Sequence, residues 1–173
     1  MKTIFQAYAR YNKNVNQDII GILKTVPQKK LAKSFKTFFP TIYDMLFHIL
    51  LSDINWIKRF KTLFGTYESI KMSKMGSYDE AKLKEEIKGD YKNLIELRGT
   101  VDKEIENFVN ELKEDDYTRV LRYKTYKGED AEKEMWKVLM QMFNHATHHR
   151  GQISGLLDML GVDNDYSAVF PRI

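Results

Sequence analysis

The stretch "AEKEMWKVLMQMFNHATHHRGQISGLLDMLG", residues 131–161, decides how the rest of the chain is read. Its apolar residues recur at helical spacing, so the sequence predicts a helix over 131–160 that stops at Gly161, a residue suited to a left-handed cap. At about 100° per residue, Met135, Val138, Met142, Ala146, Ile153, Leu156 and Leu160 all fall within about 60° of His149. His149 is therefore central in the apolar stripe. His145 lies about 40° away on the same inward side, while His148 falls about 100° away on the flank.

Five consecutive positions, 145–149, hold three of the four histidines in the chain. An i, i+4 pair stands on adjacent turns, about 6 Å apart at Cβ, and two such imidazoles can reach one ion. The sequence leaves two readings of His145 and His149: metal ligands, or hydrogen-bonded core histidines. The fourth histidine, His48, sits in "TIYDMLFHILLSDINWI", residues 41–57, where Thr41, Asp44, Ser52 and Asn55 share its face on an otherwise apolar helix. That polar stripe faces either water or a polar cavity. In the second case His48 supplies a third nitrogen, with Asp44, Ser52 or Asn55 as hydrogen-bond acceptors behind it.

Outward from these two helices the chain reads as helical throughout. Pro27 and Pro40 bracket the first connection, which leaves a first helix over 5–25 and a second over 41–64 that ends at Gly65. Ser77 with Glu80 has the form of a capping box, so a third helix is expected over 77–112. Residues 116–129 are rich in Tyr, Thr, Val and Arg and contain Gly128, which suits an extended segment or hairpin. The expected fold is all-α: a four-helix bundle with a short hairpin insertion between the third and fourth helices, in one domain spanning 1–173. Trp56 and Trp136 are expected in its core.

Composition narrows the chemistry. With no cysteine, disulfides, thiolate metal sites and a cysteine nucleophile are excluded. The net charge of +4 is spread among mixed signs, and the basic segment "KTVPQKKLAKSFK", residues 24–36, reads as a solvated connection, so no nucleic-acid partner is expected. Residues 1–14 lack the continuous apolar core of a signal peptide, and residues 41–57 carry Asp44, His48 and Asp53. Neither a membrane partner nor export is expected, which points to the cytoplasm.

Three segments together resemble the DinB/YfiT-like superfamily of damage-inducible helical metalloproteins. "ARYNKNVNQDI", residues 9–19, is similar to the family's first-helix start, "FHILLSDINWIKRF", residues 47–60, to its second-helix motif, and "NHATHHRGQI", residues 144–153, to its most recognisable signature. "LLDMLGVDNDY", residues 156–166, resembles the usual exit. The resemblance implies three metal-binding histidines, which fall on His48, His145 and His149, and leaves His148 as a neighbour. Zinc or nickel is the expected ion. It further implies, as in some members, transfer of a low-molecular-weight thiol such as bacillithiol, mycothiol or glutathione to an electrophile, and a homodimer. Many members have no assigned activity, so a non-catalytic metal-binding stress protein or a helical interaction protein is the other reading. The signature assigns no chemistry to Arg150, Gly151 and Gln152. Arg150 is expected in a salt bridge and Gly151 in helix packing, and Phe38, Phe39 and the closing "VFPRI" are expected at a pocket or an interface.

Overall fold

A computed structural model describes residues 1–75, 78–87 and 90–173. Among these, four long helices carry the architecture: α1 (Lys2–Thr25), α3 (Ile42–Phe64), α6 (Tyr91–Glu111) and α7 (Met135–Met159). Short helices α2 (Gln28–Leu31), α4 (Glu68–Lys71) and α5 (Glu80–Glu86) and a 3-10 turn, Glu114–Thr118, fill the connections. A hairpin of β1 (Val120–Lys124) and β2 (Asp130–Glu134) precedes α7, and a second 3-10 turn, Phe170–Arg172, follows it. The long helices meet in the order α1 on α6, α6 on α3, α3 on α7 and α7 on α1. No described helix is long and apolar enough to cross a membrane.

The helix boundaries follow local chemistry. α1 ends where Val26, the residue before Pro27, turns extended. Thr41 opens α3 with a reciprocal pair: its hydroxyl accepts from the Asp44 N–H, and the Asp44 carboxylate accepts from the Thr41 N–H at 3.1 Å. α7 ends in a Schellman turn. Val162 N–H bonds the Leu157 carbonyl and Gly161 N–H the Asp158 carbonyl, with Gly161 at φ +66°, the left-handed cap expected of it.

Two expectations need correction. The third helix is two pieces, because Asp90 caps a new start by accepting from Asn93 N–H. The Ser77 half of the expected capping box lies outside the described residues, and it is the Asp79 carboxylate that caps α5. The fourth helix begins at Met135 rather than 131, since residues 130–134 pair with β1 in antiparallel register, Leu121 opposite Lys133. "DAEKE" carries no strand-like composition. Its pairing partner, anchored by the fully buried Leu121, overrides local propensity.

The interior is apolar on most helix faces, with Phe60, Phe64 and Phe108 fully buried and stacked or edge-on. Trp56 is in the core as expected, whereas Trp136 is only partly covered against it. Part of the interior is polar. Asp53 of α3, Arg98 and Asp102 of α6, Asn12 and Asn16 of α1 and Arg150 of α7 are all buried. Arg98 reaches Asp53 at 2.7 Å and Asp102 at 2.8 Å, Asn16 donates to Asp102 at 2.8 Å, and Arg150 donates to Asn12 at 2.5 Å. All four long helices thus share one buried set of charge-assisted contacts.

Candidate metal centre

α3 contributes His48 and α7 contributes His145 and His149, and the three side chains converge. His145 Nε2 stands 3.1 Å from His48 Nε2 and 3.0 Å from His149 Nε2, and one ligand atom from each ring lies within 4.8 Å of the others. The i, i+4 spacing on α7 brings two rings together on adjacent turns, and the packing of α3 on α7 supplies the third. His145 and His149 join His48, and their rings also hydrogen-bond one another and, from His149, Gln152.

The polarity of His149 follows from its neighbour. Its Nδ1 meets the Gln152 side-chain oxygen at 2.7 Å. An amide oxygen only accepts, so the His149 proton sits on Nδ1 and Nε2 presents a bare lone pair to the other two rings. Burial pushes the pKa of His48 down to about 4, helped by His145 and His149 and opposed by Asp53. Burial likewise pushes His145 down to about 4, with His149 and then His148 adding to it. His149 is lowered by burial, against the Gln152 hydrogen bond. All three rings are therefore neutral at pH 7, the form in which imidazole binds metals. Three converging neutral nitrogens with no proton available to bridge every pair fit a divalent cation, and the group could hold one.

Phe39 closes one side of the trio, with its ring 4.4 Å from the His48 ring and edge-on to His149 at 5.5 Å. Beyond it a cavity of about 620 Å³ opens, lined by Phe38, Phe39, Met45, Leu156 and Met159 together with His48, His148, His149 and Gln152. His148 is exposed on the flank, as the helical arithmetic placed it, with its ring 5.0 Å from His149.

Other expectations shift. Asp44 is committed to the cap of α3, and Asn55 lies in a groove with Lys58, Arg59 and Thr62 rather than behind His48. The acceptor found behind the trio is Gln152, on His149. Arg150 makes no ion pair with a described carboxylate. It is buried, donates to Asn12, Asn16 and Thr147, lies over the Tyr11 ring, and its carbonyl accepts from the Tyr166 hydroxyl. Gly151 is exposed, and a Cβ there would meet nothing within 4 Å, so it serves no close helix packing. Phe38 and Phe39 do line the pocket. In the closing segment Phe170 is exposed and away from this cavity, while Val169 lines a second one with Ile4, Tyr8 and Phe143.

The sequence reading missed the buried ion cluster and the Gln152 contact. A signal existed for the first, because Asn12, Asn16 and Asp53 interrupt apolar helix faces at helical spacing. Gln152 carried one as well, three residues beyond His149 and so one turn away.

This geometry agrees with two comparisons. The chain is 28% identical over 160 residues to Protein DinB of Bacillus subtilis (strain 168), an alignment covering 91% of this chain and 86% of that protein. The family model described as DinB family matches residues 1–166, so a sequence carrying three converging histidines on two of its long helices belongs to the DinB family.

Proposed function

We propose that this protein binds one divalent metal ion, zinc or nickel, through Nε2 of His48, His145 and His149 in a DinB-type four-helix bundle. We further propose that it uses the site to transfer a low-molecular-weight thiol to an electrophile. The observation that carries the reading is the approach of three neutral Nε2 atoms at 3.0–3.1 Å, with Gln152 fixing the tautomer of one. Three protein ligands leave a coordination position free, as in catalytic rather than structural zinc sites. A divalent ion so held supplies a Lewis-acid position that lowers the pKa of a coordinated thiol.

The residues of the chain do the remaining work. His48, His145 and His149 offer lone pairs, Gln152 orients His149, and Phe39 shields one side of the trio from water. In the transfer, the thiol proton leaves to solvent, a sulfur–carbon bond forms, and the leaving group departs with the electron pair of the bond it breaks.

Elemental analysis of purified protein, paired with turnover of a thiol with monochlorobimane, tests both parts. About one ion per chain and thiol consumption, both lost in His145→Ala with a helical spectrum retained, are the expected results. Turnover retained in His145→Ala overturns the mechanism. Metal at unit stoichiometry with no thiol consumption leaves a metal-binding protein and overturns the transferase.

A further inference from the structure

The cavity beside the histidines has walls whose chemistry selects a ligand. Its aromatic side is a continuous series of rings: Phe38 stands edge-on to Phe39 at 4.9 Å, and Phe39 lies on His48 at 4.4 Å. Met45 and Leu156 supply the buried aliphatic floor, and Met159 the rim. Phe38 is 90% exposed and Met159 68% exposed, so two large apolar side chains stand in water at the mouth of a cavity of about 620 Å³. That volume lies in the range of small-molecule sites.

The electrostatics argue against an anion. Among the described residues lining the cavity there is no lysine, arginine, aspartate or glutamate. Leu156 and Met159 belong to the last turn of α7, the negative end of that helix, where Leu157 and Asp158 carbonyls accept from Val162 and Gly161 and the nearby Lys30 is directed to the Leu160 carbonyl rather than into the cavity lining. On the opposite wall the positive end of α3 is already offset by Asp44 in its cap. An anionic ligand entering here would lose water and gain no cationic partner from the chain.

We infer that this cavity receives a neutral, apolar molecule of aromatic size, and that this molecule is the electrophile of the proposed transfer. The assignment of its role rests on the metal-dependent reading above; the selectivity for a neutral ring rests on the walls alone. Gly155 provides the means of testing it. It lines the cavity, is none of the three histidines, and a Cβ built there meets nothing within 4 Å, so a side chain can be added to the cavity wall without a clash at its first atom.

The test titrates the zinc-loaded protein at pH 8 with 2-naphthalenemethanol and with 2-naphthalenesulfonate, a weakly coordinating anion of the same shape, by isothermal calorimetry. The alcohol is expected to bind at least about tenfold more tightly than the sulfonate, a difference near 1.4 kcal/mol. Gly155→Leu should weaken the alcohol by at least about tenfold while zinc stays at one per chain. Met159→Lys, a change at an exposed position, should raise sulfonate affinity by placing a cation at the rim. Equal or tighter binding of the sulfonate to the unaltered protein, or alcohol affinity unchanged in Gly155→Leu, overturns the inference. Zinc bound with no uptake of alcohol sinks the cavity assignment alone, and alcohol bound with no zinc sinks the metal reading while the cavity assignment stands.

Discussion

His48 and His145 are separated by 97 residues in the chain, yet their Nε2 atoms lie 3.1 Å apart, so the contact between α3 and α7 is made partly through two lone-pair-bearing rings. A cation placed between them ties the two helices together, and binding that occurs only in the folded state stabilises it. Zinc at about a hundredfold excess over its Kd should therefore stabilise the protein by about 2.7 kcal/mol. In His48→Ala, which removes the α3 ligand and leaves the α7 pair, that increment should largely vanish. Thermal melts with and without zinc read it directly, and an equal zinc-induced rise in both proteins would show that the ion binds elsewhere.

Gln152 sets which nitrogen of His149 is bare. Without it, His149 samples the tautomer that carries its proton on Nε2, and its ring is no longer held in place. Partners of this kind are worth about 10–100-fold in metal affinity. Competition against a chromophoric chelator should show Gln152→Ala weaker by that factor and Gln152→Glu close to the unaltered protein, because the carboxylate also accepts from Nδ1. Unchanged affinity in Gln152→Ala would remove the residue from any role at the site.

The trio was legible because two of its members obey a helical period and the third sits in a narrow polar stripe on an otherwise apolar helix. Spacing on one helix is local information, and His145 and His149 could be placed on the inward face by arithmetic alone. What opposes a residue across a helix interface is not local. Asp44, on the His48 face, was drawn into the cap of α3, since a side chain at the third helical position reaches back to the N-cap amide more readily than across a gap. Residues 131–134 read as helix because their propensity is helical, and only the presence of β1 beside them makes a strand. Arg150 was expected on a carboxylate. Packing instead gave it the two asparagines of α1, a choice set by which helix lies beside α7.

Gly151 occupies the middle of α7 with an ordinary helical backbone, exposed and with open space where a Cβ would be. A glycine there loses more backbone entropy on folding than alanine, with no close approach to offset the loss. Gly151→Ala should stabilise the protein by about 0.5–1 kcal/mol with metal content unchanged. A lower melting temperature in that variant would mean that another molecule or a second copy packs against this face.

Arg98 stands between two buried carboxylates, 2.7 Å from Asp53 and 2.8 Å from Asp102. Burial raises the pKa of both acids, that of Asp102 to about 6, even with Arg98 pulling the other way. Because the folded-state pKa of Asp102 lies above its ordinary value of about 3.9, this one group holds more proton in the folded protein than in the unfolded chain between about pH 4 and 6. The contribution of Asp102 to stability therefore falls as pH rises through that window and has reached its low plateau above it. Replacing Arg98 with Met removes the cation in contact with both acids and leaves Asp53 and Asp102 with the weaker pull of Arg150 and, on Asp102, the Asn16 hydrogen bond. The expected loss at pH 7.5 is about 3–5 kcal/mol, the cost of breaking a buried ion pair by removing one partner. At pH 5 the carboxylates of the variant accept protons and the loss should shrink. Urea unfolding at the two pH values checks this, and an equal loss at both would show that the guanidinium acts by filling space rather than by balancing charge.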